Sequence, residues 1–209
     1  TIDSQVSANV DAGFSIVKWA ADGNGFSSSI GHGLSSAPEL IISKDTDSTN
    51  DWMVTSSLFS NPTRNFLKLN LTNAVDTSSV DSYTLGTTTF KLAPRNNTSG
   101  KEIISYCFHS VDEYQKVGSY SGGQTLNTDN IVDFGFTPRF VIVKNITAAT
   151  GWLMIDSIRP NGYALFANDS GTESDYSGHI KLSSSGLRFD GNNNNVNASG
   201  NTYIYLAIA

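Results

Sequence analysis

Cysteine is almost missing from this chain of 209 residues: Cys107 stands alone. One cysteine excludes an internal disulfide framework. It sits in the apolar run Ile103-Ile104-Ser105-Tyr106-Cys107-Phe108, where it reads as a small buried hydrophobe. The adjacent His109 would point to the opposite face of a strand, which leaves a nucleophilic thiol without a base. Charge is scarce as well. Charged residues make up 15% of the chain, against about 25% in an average globular protein. The Lys and Arg residues are scattered singly in a chain of net charge −6, and phosphate neutralisation needs a basic stripe. Nucleic acid is therefore not an expected partner. No apolar run approaches the roughly 20 residues of a membrane-spanning helix, and no basic, apolar, small-residue leader opens the chain, so membrane insertion is not expected. Residues 1–12 read as a connector, with the natural start expected upstream.

Catalytic signatures are equally thin. His32, His109 and His179 fall in no His-x-x-x-His or Cys-x-x-Cys spacing, so zinc is unsupported. No Gly-x-Ser-x-Gly elbow occurs. His32 lies in a Gly-His-Gly turn, where a turn-bonding role is expected. Asp45-Thr46-Asp47-Ser48-Thr49-Asn50-Asp51 partly mimics a calcium loop, yet it lacks glycine at the sixth position and glutamate at the twelfth. A glycan hydrolase would need two carboxylates about 5 to 9.5 Å apart in a groove. The available acids, such as Asp45, Asp47 and Asp51 or Asp169, Glu173 and Asp175, cluster in loops. No catalytic residue, metal site or cofactor is assigned.

What is present is a strand pattern, and it occurs twice. Short runs rich in Val, Ile, Phe, Tyr and Thr alternate with turn residues, and no segment has a capped helical period. Ser, Thr, Asn and Gly supply the polarity, and their side chains compete for the backbone hydrogen bonds of a helix. Strands are expected near 14–20, 26–31, 39–45, 51–58, 65–71, 80–92 and 102–111. A second set is expected near 115–121, 129–134, 139–145, 152–158, 163–168, 179–190 and 202–208. Residues 38–108 match the chain one hundred positions later at thirteen places. Pro38, Ile42, Lys44, Trp52 and Ser57 repeat as Pro138, Ile142, Lys144, Trp152 and Ser157. Asn61, Phe66, Thr72 and Gly86 repeat as Asn161, Phe166, Thr172 and Gly186, and Asn97, Ser99, Gly100 and Ile104 as Asn197, Ser199, Gly200 and Ile204. Such self-similarity indicates a duplication.

Several details follow. Glu39–Lys44 and Arg139–Lys144 are nearly continuous apolar runs, which implies strands covered on both faces. Each begins after a proline, which suits a strand entrance, and each ends at a lysine expected at the rim. Gly86 and Gly186 are expected to interrupt matching strands. Trp52 and Trp152 are expected to pack on the sheet. A ligand site is sought at Trp19, Asp22 and Asn24 in the first copy and at Tyr120 and Gln124 in the second. An aromatic beside a Gly/Asn loop can form a shallow sugar platform, whereas a strand-end aromatic covering a sheet edge is the structural alternative.

The dispersed motifs also carry a resemblance. Gly13-Phe14-Ser15-Ile16-Val17, Asp22-Gly23-Asn24-Gly25, Gly31-His32-Gly33-Leu34 and Ala37-Pro38-Glu39-Leu40-Ile41-Ile42 occur in order. Tyr106-Cys107-Phe108, Val117-Gly118-Ser119-Tyr120 and Gly135-Phe136-Thr137-Pro138-Arg139-Phe140 follow, then Asn197-Ala198-Ser199-Gly200 and Tyr203-Ile204-Tyr205-Leu206-Ala207. Together they resemble an uncharacterised duplicated β domain of tail-fibre and virion structural proteins of bacteriophages, often marine ones. Trp19 departs from the Tyr expected there, and Ser43 from Val.

The expected fold is all-β: two tandem related antiparallel β-sandwich, jelly-roll-like repeats packed together, residues 13–112 and 113–209. The resemblance implies a non-enzymatic virion or extracellular domain that binds a host-surface glycan or protein. It also implies association with virion neighbours or into a homo-oligomer, with a trimer favoured. A capsid decoration or self-assembling filament subunit is the alternative, and a glycan hydrolase the second.

Overall fold

The computed structural model describes residues 2–24, 28–61, 65–77, 83–92, 99–126 and 131–209. The expected strand starts at 26, 80 and 129, and Asn97 of the first Asn-x-Ser-Gly motif, lie outside them. The protein is all-β, built from antiparallel sheets. It divides into two units, Thr1–Leu69 with Val75–Ser110 and Asn70–Ala74 with Val111–Ala209. The division falls two residues before the expected boundary between 112 and 113. A five-residue piece of the first copy belongs to the second unit.

The first unit contains β1 (Ser4–Asn9), β2 (Phe14–Ala20), β3 (Ile30–Gly31), β4 (Leu40–Asp45), β5 (Met53–Ser56), β6 (Leu67–Lys68), β7 (Tyr83–Leu85), β8 (Thr89–Leu92) and β9 (Glu102–Phe108). One sheet runs β1-β2-β9-β4-β5-β6 and the other β3-β8-β7. The second unit contains β10 (Gln115–Ser121), β11 (Val132–Asp133), β12 (Phe140–Asn145), β13 (Trp152–Asp156), β14 (Tyr163–Phe166), β15 (Ser174–Asp175), β16 (Ile180–Leu182), β17 (Gly186–Phe189) and β18 (Thr202–Ile208). Its sheets run β10-β18-β12-β13-β14-β15 and β11-β17-β16. The shared order of the central strands is the structural counterpart of the sequence repeat.

Alternation explains which residues turn inward. Ser15, Val17 and Trp19 of β2 are buried while Lys18 and Ala20 are exposed, the period-two pattern of a strand with one face on a core. In the second unit the core lies between the sheets. Val141, Val143, Leu153, Ile155, Ala164, Tyr203, Tyr205 and Ala207 come from the large sheet, and Ile180, Leu187 and Phe189 from the small one. In the first unit Trp19 meets Phe90 of β8 edge-on at 6.4 Å, and the Tyr83 hydroxyl donates to the Ser56 carbonyl at 3.0 Å. An aromatic pair of this kind adds about 0.5–1.5 kcal/mol beyond burial.

The segment expected as a connector contains β1, which pairs with β2 from Ser4 opposite Trp19 to Asn9 opposite Phe14. Its sequence, SQVSAN, offers only Val6 and Ala8 alternating among polar residues, and the strand stays largely exposed. β15, at the far edge of the second unit, escapes notice for the same reason. The repeat also slips inside each unit. Met53 pairs with Lys68, but Leu153 pairs with Phe166, so the counterpart of Phe66 is Ala164 and not Phe166. The Gly86 N–H donates to the Thr89 carbonyl at 2.9 Å, and the Ser183 N–H to the Gly186 carbonyl at 2.9 Å. Gly86 therefore matches Ser183, and Gly186 opens β17 instead of interrupting a strand. Loops of unequal length account for both slips. The register returns before the last strands, where Gly100 and Gly200 share φ values of 80° and 82°, a conformation glycine adopts at no steric cost.

Trp52 and Trp152 hold the same ladder position. The Leu69 N–H donates to the Trp52 carbonyl and the Ala167 N–H to that of Trp152. Trp52 is half-buried and stacks on Tyr106 at 6.4 Å, while Trp152 is 3% exposed.

The lysines are not rim charges. Lys44 is half-buried and donates to the carbonyls of Asp45 and Ser48. Lys144 is fully buried, and its Nζ donates to the Thr72 carbonyl at 2.9 Å and the Thr150 carbonyl at 2.6 Å. Thr72 lies in the piece Asn70–Ala74, and its carbonyl also accepts the Thr150 N–H at 2.9 Å. An ammonium group thus gathers a chain segment from across the sequence. Burial drops its pKa from 10.5 to about 8. Between those values the unfolded chain binds more protons than the folded one, so stability rises with pH across that window. The gain approaches about 3 kcal/mol at most. Chemical denaturation from pH 8 to 9.5 should show this rise in the native chain, offset in part by ionisation of the Cys107 thiol on unfolding, whereas Lys144→Met should keep only that opposing fall.

Candidate functional site

The loop aromatics proposed as sugar platforms are interior groups. Trp19 is 2% exposed, and its Nε1 donates to Ser105 Oγ at 3.1 Å. Tyr120 is 7% exposed, donates its hydroxyl to the Val196 carbonyl at 2.7 Å and stacks on Tyr203 with ring centres 4.9 Å apart. Burial pushes its phenol pKa well up. The two rings are ladder equivalents, Trp19 opposite Ile103 and Tyr120 opposite Tyr203. Both face inward because the alternation of their strands turns them there, so neither forms an open platform.

The polar partners of that expected site support their own loops. Asp22 accepts the Asn24 N–H and Nδ2 at 3.0 Å each and the Ser28 hydroxyl at 2.5 Å. The Gln124 N–H donates to Asn197 Oδ1 at 2.8 Å, its carbonyl accepts Asn197 Nδ2 at 3.1 Å, and its Nε2 donates to the Ser121 carbonyl at 2.7 Å. In the loop Asp45–Asp51, burial would raise the Asp45 carboxyl. Hydrogen bonds from Asp47, Ser48 and Asn50 outweigh it and hold the pKa at about 2. The Cys107 thiol is pushed up to about 12 by burial, which makes it unreactive.

Two surface depressions lie among the described residues. One, of about 320 Å³, is lined by Asp3, Ser4, Gln5, Lys18, Trp19, Ala20 and Glu102. Its Lys18–Glu102 ion pair, at 3.1 Å, is largely exposed and so contributes little. The other, of about 280 Å³, belongs to the second unit and combines Thr137, Asp156, Ser157, Arg159, Asn161 and Ser184 among its lining residues. Sequence reasoning missed it.

A tight turn after β13 builds this groove. Asp156 Oδ1 accepts the N–H groups of Ile158 at 3.0 Å and Arg159 at 2.9 Å, a turn that a short carboxylate favours. Asp156 Oδ2 accepts Arg159 Nε at 2.7 Å, and Arg159 Nη2 also reaches the Met154 carbonyl at 3.2 Å. The backbone bond from Arg159, assisted by its guanidinium, lowers the Asp156 pKa. Arg159 Nη1 is buried and has no hydrogen-bond partner among the described residues. Asn161 fixes the other wall, donating to the Leu182 carbonyl at 3.0 Å and accepting the Leu182 N–H at 2.8 Å. Thr137 donates to the Ser184 carbonyl at 2.5 Å. Ile158, between Ser157 and Arg159 in sequence, is 87% exposed.

The first unit has the same turn with different chemistry. The Ser57 N–H donates to the Glu39 carbonyl and the Ser157 N–H to the Arg139 carbonyl, which sets Ser56 against Asp156 and Phe59 against Arg159. Phe59 is 3% exposed. A charged residue at a position that is apolar in the other copy was the available signal.

His32 is the counterpart of Phe134, since their N–H groups donate to the carbonyls of Thr88 and Ser185 at equivalent places. Both side chains are buried. The Leu34 N–H donates to His32 Nδ1 at 3.1 Å, so Nδ1 is an acceptor and Nε2 carries the proton given to the Gly86 carbonyl at 3.1 Å. The ring therefore pins the β7–β8 turn.

These features define the class of protein: paired all-β scaffolds carrying a shallow polar groove. The chain belongs to the family described as Domain of unknown function (DUF7483), whose model matches residues 1–209. No curated protein and no solved structure matches it.

Burial lowers the His32 pKa below 6.5. The unfolded chain then takes up a proton more readily, so the stability that neutral His32 contributes is lost as pH falls from 6.5 toward the folded value. Thermal unfolding between pH 7.5 and 5 should show this loss. His32→Phe, which installs the ring of the Phe134 counterpart, should diminish it.

Proposed function

We propose that this protein is a non-enzymatic module of a virion appendage, of tail-fibre or related structural type. In this reading it presents the Asp156–Arg159–Asn161 groove to a host-surface glycan. One observation carries the proposal: at the turn after β5 and β13 the two units differ in chemistry, a buried phenylalanine in one and a guanidinium fixed in a polar groove in the other. Loops on a rigid scaffold are where binding specificity resides. The partly exposed Arg159 side chain places positive charge beside sugar hydroxyls or carboxylates, Asp156 and the loop carbonyls offer acceptors, and Ile158 supplies an exposed apolar tip. The motif resemblance to phage structural proteins supplies the virion or extracellular setting.

The behaviour of the acids favours binding over hydrolysis. Asp45, Asp156, Asp175 and Asp190 all have their pKa lowered. A glycosidase needs a general acid whose pKa is raised.

The test is binding of the intact protein to host cells and to purified surface polysaccharide. Arg159→Phe, the first unit's residue, should weaken binding about tenfold or more, the size expected for a lost charged contact, with the unfolding temperature little changed. Intact protein that binds neither target, or binding that Arg159→Phe leaves unaltered, would refute the proposal.

A further inference from the structure

β1 ends the large sheet of the first unit; just before it, Ile2 makes a parallel bridge to Ile30 of β3, and among the described residues no strand pairs with the outward edge from Ser4 to Asn9. Proteins usually blunt such an edge with charge, proline, a bulge or a very short strand. β1 has six residues, none charged and none proline, and an unbroken ladder to β2. Its residues from Gln5 to Asn9 are exposed, with Val6 at 42%.

The hydrogen-bond phase shows which backbone groups face outward. The His109 N–H donates to the Gly13 carbonyl and the Ala21 N–H to the Lys101 carbonyl. Odd-numbered residues of β2 therefore bond to β9, and Phe14, Ile16 and Lys18 bond to Asn9, Ser7 and Gln5 of β1. In an antiparallel ladder alternate residues bond to opposite sides. The N–H and C=O groups of Ser4, Val6 and Ala8 consequently point away from β2.

We propose that β1 of one copy pairs antiparallel with β1 of a second copy, Val6 opposite Val6, joining their large sheets into one. In this register Ser4 lies opposite Ala8 and Gln5 opposite Ser7, so every outward group of Ser4, Val6 and Ala8 gains a partner. The frame is bounded on both sides: the Ile2 N–H is committed to the Ser29 carbonyl, and the Val10 carbonyl to the Gly13 N–H. Shifting the pair by two residues in either direction would leave outward groups unmatched. Asp3 falls opposite Asn9, so the acid next to the strand meets an amide and not another acid. The contact is isologous and closes with two copies, a different geometry from the trimer that the resemblance suggests. It stands independently of the glycan groove.

Residues opposite each other in a hydrogen-bonded antiparallel pair have Cα atoms about 5.5 Å apart, within the span of a disulfide. Full-length Val6→Cys, exposed to oxidised glutathione, should cross-link to a dimer. Ser7→Cys should not, because Ser7 faces Gln5. The native Cys107 is fully buried and stays apart from the reaction. In sedimentation velocity, Val6→Lys and Val6→Glu should each dissociate at least about tenfold more readily than the native chain, through like charges placed opposite each other. Their equimolar mixture should associate again, which also shows that both variants are folded. A native chain that stays monomeric at high micromolar concentration would overturn the proposal. So would an oligomer that Val6→Lys leaves intact, or Ser7→Cys cross-linking as readily as Val6→Cys.

Discussion

Each unit is closed by the strand that comes last in its sequence. β9 lies between β2 and β4, and β18 between β10 and β12, each paired along both sides. Ile103 and Cys107, like Tyr203 and Ala207, are fully buried. Without β9 or β18, the neighbouring strands would each expose a row of backbone donors and acceptors to a low-polarity interior, an expensive arrangement. The remaining elements depend on that closure. The small sheet has an inward face to cover only once the large sheet is continuous, and the turns beside β5 and β13 have a rim on which to stand. Forming such non-local ladders carries a loop-closure cost that only the completed sheet repays.

On this common frame the two units have diverged where the frame allows it. Trp19 and Tyr120 fill one interior position by different means, the indole bonding to Ser105 and the phenol to a main-chain carbonyl. At another, His32 ties down a hairpin turn while Phe134 packs as an apolar ring. At the turn after β5 and β13, Phe59 goes inward and Arg159 joins a groove. The interior pairs conserve a ring and its burial. The surface pair does not conserve its chemistry, and there the two units differ in what they can bind.

Much of the fold was legible because strand alternation and turn residues leave local marks. Phe14–Ala20, Gln115–Ser121 and Thr202–Ile208 coincide with their expected ranges. Edge elements were not legible: β15 is two residues long, and β1 carries only Val6 and Ala8 alternating among polar residues. An ungapped comparison failed wherever loops changed length, which misplaced the partners of Phe66 and Gly86. Lys144, one residue before the end of β12, looked like a rim charge because its acceptors are the carbonyls of Thr72 and Thr150, distant or loop residues that no local pattern connects. The aromatic loops misled for a related reason: a Trp or Tyr next to Gly and Asn looks the same in sequence whether its ring faces solvent or core. The groove needs Thr137, Arg159, Asn161 and Ser184 brought together by three separate segments, and only the exchange of Phe59 for Arg159 hinted at it.

Residue-resolved hydrogen exchange of the full chain tests the closing role of the last strands most directly, because the slowest amides report the structure lost only on global opening. The slowest exchange in the first unit should fall on Ile103, Ser105 and Cys107, and in the second on Tyr203, Tyr205 and Ala207, with β15 far faster. Amides of β9 and β18 exchanging as readily as those at the sheet edge would contradict the account.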